Sequence, residues 1–343
     1  MSTPTVPTNK LGLSKQDYVG SKSTLCPGCG HDAITAQIIQ ATWELGLEPH
    51  RVAKMSGIGC SSKTPAYFLN QAWGFNSVHG RAAAVATGAA LANRDLINLI
   101  VSGDGDSMSI GMGQLVHMIR RNVPVVYIIE DNGVYGLTKG QFSATADVGS
   151  VLKKGDVNEI PPVDPCTLAM ELGCGFVARS FSGDPKQLNT LLKAAFAHRG
   201  TALIDVISPC VTFNNHDSST KSYKNVKDRD FPLHELGFVP YYEQAEVEIP
   251  AGEAREVQFP DGSRLTFRSL REDYDPTDRY AAMRAIHEAH GSGEFLTGLL
   301  YVRPEGPTLH DQARLVDAPL AMLDQALTKP SPEVLASLLE DYR

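Results

Sequence analysis

The stretch Asn98-Leu99-Ile100-Val101-Ser102-Gly103-Asp104-Gly105-Asp106 decides the fold. Asn98 to Ser102 read as a buried strand, and the glycines flanking Asp104 let the backbone turn sharply and come close to a ligand. Asp104 then stands at the carboxyl end of a strand, where open α/β sheets bind ligands. A helix is expected next, with Ile110, Leu115, Met118 and Ile119 on one stripe and an end near Asn122. Val123 to Ile129 form a second apolar strand, which empties into Asp131-Asn132-Gly133-Val134. This strand, acidic turn, helix and strand bring Asp104 and Asn132 to adjacent strand ends. They are two hard oxygen donors suited to Mg²⁺ holding a diphosphate.

Outward from this unit the pattern repeats. On the amino-terminal side, Leu25-Cys26-Pro27-Gly28-Cys29-Gly30-His31 presents two thiols from one tight turn, and a helix is expected from about His31 to Leu45. Arg51 to Ile58 form a short strand entering Gly57-Ile58-Gly59-Cys60-Ser61-Ser62-Lys63, which puts a third cysteine at a strand end. His79-Gly80-Arg81 opens a helix over Ala82 to Ala92, whose alanines allow close packing and whose first amides favour an anion. On the carboxyl side, Gly133 to about Pro162 form a long loop starting Tyr135-Gly136-Leu137-Thr138-Lys139-Gly140-Gln141, and loops of that length in a compact domain tend to be functional. A helix (Asp164 to Leu172), a strand (Gly175 to Phe181), a helix (Pro185 to His198) and a strand (Ala202 to Ile207) follow. The last strand ends in Ser208-Pro209-Cys210. The alternation βαβαβ predicts an α/β protein with a doubly wound parallel sheet.

The chain has 343 residues and a formal net charge of -8, with its lysines and arginines scattered apart from short pairs. Nothing in that balance points to nucleic acid. No apolar run reaches the roughly 20 residues that span a bilayer, and Met1 to Lys10 are polar rather than signal-like, so no membrane association and a cytoplasmic location are expected. Residues 1–20 read as a flexible arm, 21–220 as the main domain, and 221–343 as an extension that covers a site or contacts a partner. In that extension, Glu256 to Phe259 and Arg264 to Phe267 make a hairpin around Pro260-Asp261-Gly262-Ser263. Thr277 or Asp278 starts one helix and Ser331-Pro332-Glu333 another.

Of the six cysteines, Cys26, Cys29, Cys60 and Cys210 fall at turns or strand ends, while Cys166 and Cys174 read as small core residues. Four thiolates suit either a structural zinc or a 4Fe-4S cluster, and spacing alone leaves both open. The Gly-Asp-Gly to Asn spacing resembles the thiamine diphosphate binding motif. Either half of that motif alone is a common turn; both in one βαβ unit are not. A redox cluster beside that cofactor has an obvious use, which favours 4Fe-4S over zinc.

Cys-Pro-Gly-Cys-Gly-His, Gly-Ile-Gly-Cys-Ser-Ser-Lys, His-Gly-Arg, Gly-Asp-Gly-Asp and Leu-Thr-Lys-Gly-Gln, in this order, closely resemble the β subunit of 2-oxoacid:ferredoxin oxidoreductases. The resemblance covers about residues 18–230 and, more weakly, Thr297-Gly298-Leu299-Leu300-Tyr301. It implies a diphosphate-type thiamine diphosphate domain with Mg²⁺ on the side chains of Asp104 and Asn132 and the carbonyl of Val134. Gly103, Gly105 and Asp106 would line the cofactor with Gly59, Ser61, His79 and Gly80, and Gly136 and Leu137 would close over it. Cys26, Cys29, Cys60 and Cys210 would hold one 4Fe-4S cluster, and Lys63 and Lys139 would meet the anionic 2-oxoacid.

An α subunit would supply the missing pyrimidine-binding half, commonly as α2β2, with ferredoxin as electron partner and CoA as acyl acceptor. The motif wording is most similar to that of 2-oxoglutarate enzymes, giving 2-oxoglutarate oxidation to succinyl-CoA and CO₂ or its reverse, with pyruvate or a broad 2-oxoacid range as runner-up. A cluster-free thiamine decarboxylase subunit would leave the cysteines unexplained. A zinc-stabilised non-enzymatic scaffold would leave Asp104 and Asn132 unexplained.

Overall fold

The computed structural model describes residues 6–152, 155–208, 210–212, 250, 253–258, 264–269, 274–292, 294–303 and 306–342. Strands β1 (Val52–Ser56), β2 (Trp73–Asn76), β3 (Ile97–Gly103), β4 (Val125–Asp131), β5 (Phe176–Phe181) and β6 (Thr201–Ile207) run parallel in the order β2-β1-β3-β4-β6-β5. The winding direction reverses between β1 and β3, which makes their carboxyl ends the topological switch point.

β4, β5 and β6 are buried along their whole length, because helices cover both faces. Side chains alternate accordingly. Val125, Tyr127 and Ile129 pack with helices α2 (Ala82–Ala92) and α3 (Met112–Arg120), whereas Val126 and Ile128 pack with α1 (Gly30–Leu45) and α5 (Pro185–Ala197). The alanine-rich α2 buries Ala82, Ala83, Ala86 and Ala90 against the first of these cores. Cys166 and Cys174 are buried in it too, as the sequence predicts.

Three differences from expectation have physical causes. The helix after β3 does not run unbroken. A π-helical turn spans Gly105–Ile110, and Gly111 separates it from α3; π-turns of this kind gather at functional sites. Residues 9–20 are not a loose arm but dock on their own chain. Tyr18 is fully buried and donates to the Leu47 carbonyl at 2.8 Å, while the Trp43 indole N–H donates to the Leu13 carbonyl at 3.0 Å. These are aromatic polar tips finding partners, which no local pattern announces.

The tail also completes the main sheet rather than merely covering it. α6 (Arg279–Gly291), capped by Asp278, places Ala282 and Ile286 in the first core. β9 (Glu294–Val302) adds antiparallel to β5 and shields that edge. The expected hairpin is present as β7 (Ala254–Gln258) antiparallel to β8 (Arg264–Ser269), with β8 parallel to β9; its turn, the boundary near residue 220 and Phe213-Asn214-Asn215 lie outside the described residues. α4 (Pro165–Glu171) and the terminal helix Pro332–Glu340 start at Asp164 and Ser331 as predicted. No described helix is long and apolar enough to cross a membrane.

Candidate functional site

At the switch point the loops after β1, β3 and β4 enclose a cleft. Gly59, Cys60 and Ser61 line it from the first loop, Gly103 to Asp106 from the second, and Asn132 and Val134 to Thr138 from the third, with His79 at one side. The two acidic-strand features of the sequence therefore meet in space. The Asn132 amide lies 3.4 Å from Asp104 Oδ1, and both residues are buried.

Asp104 is braced from behind. Its Oδ2 accepts from the Ser143 hydroxyl, and the Thr145 hydroxyl lies 2.9 Å away. Thr145 is also 2.7 Å from Asp131 Oδ1; one hydroxyl proton serves one of these carboxylates at a time. Asn132 turns its Oδ1 to the Val134 amide at 3.0 Å, which pins the Asn-Gly-Val turn. The cradle is shaped by absent side chains: a Cβ on Gly105 would come within 2.4 Å of the Tyr135 ring, and one on Gly103 within 2.8 Å of Ser61 Oγ. Tyr135 also donates its hydroxyl to the Gly105 carbonyl at 2.9 Å. Buried Asp104 and Asn132 over a glycine cradle suit a divalent cation with a diphosphate.

Asp106 has a different job from its neighbour. Its Oδ1 accepts from the amides of Ile58 at 3.1 Å and Gly80 at 2.7 Å and lies 2.5 Å from His79 Nδ1, while Oδ2 accepts from Ser102 at 2.6 Å. It staples the β1 loop and the start of α2 to the β3 turn. The anion received near that helix start is thus the chain's own carboxylate, and Gly80 acts through Asp106 without lining the cleft. Gly57 is required there, since a Cβ would fall 2.0 Å from Asp106 Oδ2.

Lys63 and Lys139 do not line the cleft. Lys63 is half-buried in the 3₁₀ turn Ser61–Ala66, and Lys139 is exposed at φ 74° in the turn of the β4 loop. Gly136 and Leu137 do line it, with Leu137 exposed.

The four cysteines sit on loops beside the same strand ends. Cys29 precedes α1, Cys60 follows β1, Cys210 follows β6, and Cys26 Sγ accepts from the Thr212 hydroxyl at 3.4 Å. Burial raises the Cys29 and Cys60 thiols first of all; Cys210 adds to both and Cys26 to Cys60, so the four influence one another electrostatically. Among the described residues no three of His, Cys, Asp and Glu gather tightly enough to hold a single metal ion.

Between these thiols and the cleft lies a polar pair that no sequence motif singles out. Glu130 is fully buried with no hydrogen bond to either oxygen among the described residues, and burial pushes its carboxyl well above the usual range. His31 Nδ1 is 3.7 Å from it and 2.9 Å from Ser208 Oγ, and burial lowers the imidazole to about 4. Tyr135, Ser143 and Thr145 are likewise site residues that the sequence pattern does not assign; the first stands within a loop that the pattern marks as functional, but the two hydroxyl residues carry no sequence signal.

These features define the class: an α/β domain built to grip a diphosphate at its switch point. Residues 57–206 match the family described as thiamine pyrophosphate enzyme, C-terminal TPP binding domain, and residues 265–317 match the family of the C terminal region of the pyruvate ferredoxin oxidoreductase beta subunit. The chain is 42% identical over 212 residues to the 2-oxoglutarate oxidoreductase subunit KorB of Mycobacterium tuberculosis, covering 61% of this chain and 56% of that one. It is 46% identical over 201 residues to a Sulfolobus 2-oxoacid:ferredoxin oxidoreductase subunit beta, covering 58% of this chain and 65% of that one.

Against the 2-oxoglutarate synthase subunit KorB of Methanocaldococcus jannaschii the identity is 31%, over 69% of this chain and 88% of that one. A solved structure, 2-oxoglutarate:ferredoxin oxidoreductase from Magnetococcus marinus with 2-oxoglutarate, coenzyme A and succinyl-CoA bound, superposes with a TM-score of 0.71 at 31% identity, covering 95% of this chain and 96% of that one. The chain belongs to the family of 2-oxoacid:ferredoxin oxidoreductase β subunits.

Proposed function

We propose that this chain is the β subunit of a 2-oxoglutarate:ferredoxin oxidoreductase, which converts 2-oxoglutarate and CoA to succinyl-CoA and CO₂, or runs the reverse carboxylation, and exchanges electrons with ferredoxin. The observation that carries this reading is the convergence of Asp104 and Asn132 in one glycine-built cleft with Cys60 on its rim. Side-chain oxygens of Asp104 and Asn132 and the Val134 carbonyl would hold Mg²⁺, with Gly103 and Gly105 leaving room for the diphosphate and Asp106 fixing the loops that carry Gly59, Ser61 and His79. Cys26, Cys29, Cys60 and Cys210 would ligate a 4Fe-4S cluster. Bound there, thiamine diphosphate supplies the carbon nucleophile for decarboxylation and the cluster a one-electron exit.

The domain grips only the diphosphate end, so an α subunit would complete the site as an αβ unit, commonly α2β2. The 2-oxoglutarate assignment rests on the relatives, and Lys63 and Lys139 are the cations of this chain offered to its carboxylates. Steady-state kinetics of the enzyme reconstituted with its α subunit, over a panel of 2-oxoacids with ferredoxin and CoA, tests the reading. A specificity constant for 2-oxoglutarate above that for pyruvate is expected, with loss of turnover in Lys63→Ala and Lys139→Ala. Preference for pyruvate, or wild-type kinetics in both lysine variants, contradicts it. Iron content tests the ligand set: Cys60→Ser should lose iron, and Cys166→Ser should keep it.

A further inference from the structure

A second cavity, of about 400 Å³, is bounded by the ends of β4, β5 and β6, the cap of α4, the carboxyl-terminal turns of α6 and the start of β9. Its size is that of a small-molecule site. Five carboxylates line it, those of Asp131, Asp147, Asp164, Asp205 and Glu294, against one guanidinium, Arg179. Arg179 donates from Nε to Asp205 Oδ2 at 2.8 Å and from Nη2 to Asp164 Oδ2 at 2.5 Å. What the trio leaves over is specific. Arg179 Nη1 and Asp205 Oδ1, on side chains 1% and 0% exposed, have no hydrogen-bond partner among the described residues. A buried donor and a buried acceptor side by side are costly to leave unpaired, so native sites of this kind have something that satisfies both.

We propose that this cavity binds a small organic amine carrying a neutral oxygen acceptor, its ammonium donating to Asp205 Oδ1 and its oxygen accepting from Arg179 Nη1. The excess of carboxylates selects a cation and rejects phosphates and carboxylate ligands, since each added negative charge would be desolvated among its like. The outer carboxylates, Asp147 and Glu294, are half-exposed and draw the cation inward, while Phe295 and Val163 give its carbon atoms an apolar wall. The reading is independent of the diphosphate cleft, because none of the residues lining one cavity lines the other.

Ethanolamine is the probe, titrated calorimetrically into the full chain, with succinate as an anionic competitor. Saturable ethanolamine binding is expected, undisturbed by succinate and weakened about tenfold or more in Asp205→Asn, the loss expected for one charge-assisted hydrogen bond. Should Asp205→Asn not fold, the half-exposed pair Asp147→Asn with Glu294→Gln decides, and it too should weaken binding. Absence of saturable binding, displacement by succinate, or an unchanged isotherm in the variants would overturn the proposal and leave the cavity to ordered water.

Discussion

The cleft and the second cavity are neighbours built in opposite ways. One hydroxyl separates them, since Thr145 touches Asp104 of the cleft at 2.9 Å and Asp131 of the second cavity at 2.7 Å. The cleft is made by subtraction: Gly57, Gly103 and Gly105 leave space that a single methyl group would fill. The second cavity is made by accumulation, with carboxylates from separate elements gathered around one buried guanidinium. A site made by subtraction is sensitive to volume, and one made by accumulation is sensitive to charge.

The sharpest test of that contrast uses glycine. Gly105→Ala places a methyl group against the Tyr135 ring at 2.4 Å, and Gly57→Ala places one on Asp106. Each should abolish thiamine diphosphate binding in equilibrium titration of the reconstituted enzyme, whereas an alanine at Gly113, which has no neighbour within 4 Å, should not. Retained binding in both cleft variants would break the comparison. Next in size, Arg179→Met strands Asp164 and Asp205 without their shared partner, and removing one member of a buried ion pair costs roughly 3–5 kcal/mol. Denaturant unfolding should register that loss; a variant as stable as wild type would mean the guanidinium is dispensable to the second cavity.

The hydroxyl between the two regions gives a smaller effect. Thr145→Val keeps the shape and removes a hydrogen bond to a carboxylate, so the Mg²⁺ concentration needed for half-maximal thiamine diphosphate binding should rise about tenfold. Thr145→Ser should restore it. The smallest effect is a slope. Burial pushes the Asp205 carboxyl up to about 6 in spite of Arg179. Its folded pKa lies above the unfolded value, so the native chain holds this proton longer, and the contribution of Asp205 to stability falls as pH rises from about 4 to about 6. Asp205→Asn lacks that fall. The variant should gain on wild type across this window in unfolding titrations; a constant difference would mean that Asp205 ionises normally.

The same contrast explains what could be read from the sequence. Asp104 and Asn132 were legible because the glycines, the strand pattern and the two donors lie within one βαβ unit, and a unit of that kind has one way to fold. The six parallel strands were legible for the same reason, as long apolar runs between turn signals. Arg179, Asp205 and Glu294 were not, because three strands far apart in sequence bring them together and each alone resembles a solvated charge. Ser143 and Thr145 were hidden in a loop whose path depends on Asp104 itself. The docking of residues 9–20 was hidden because it hangs on the polar tips of Tyr18 and Trp43. In the tail, β9 was legible only as a short motif; its pairing with β5 depends on a register that no short pattern specifies.

The measurement that bears most directly on the central claim is calorimetric titration of thiamine diphosphate into the reconstituted enzyme, with Mg²⁺ and with Mg²⁺ chelated, for wild type and Asp104→Ala. Asp104 supplies the one carboxylate proposed as a metal ligand, and its strand is held by apolar contacts that the substitution leaves alone. Tight, Mg²⁺-dependent binding in wild type and its loss in a folded Asp104→Ala protein are predicted. Equal binding by the two proteins, or binding by wild type that ignores Mg²⁺, would contradict the assignment of this cleft.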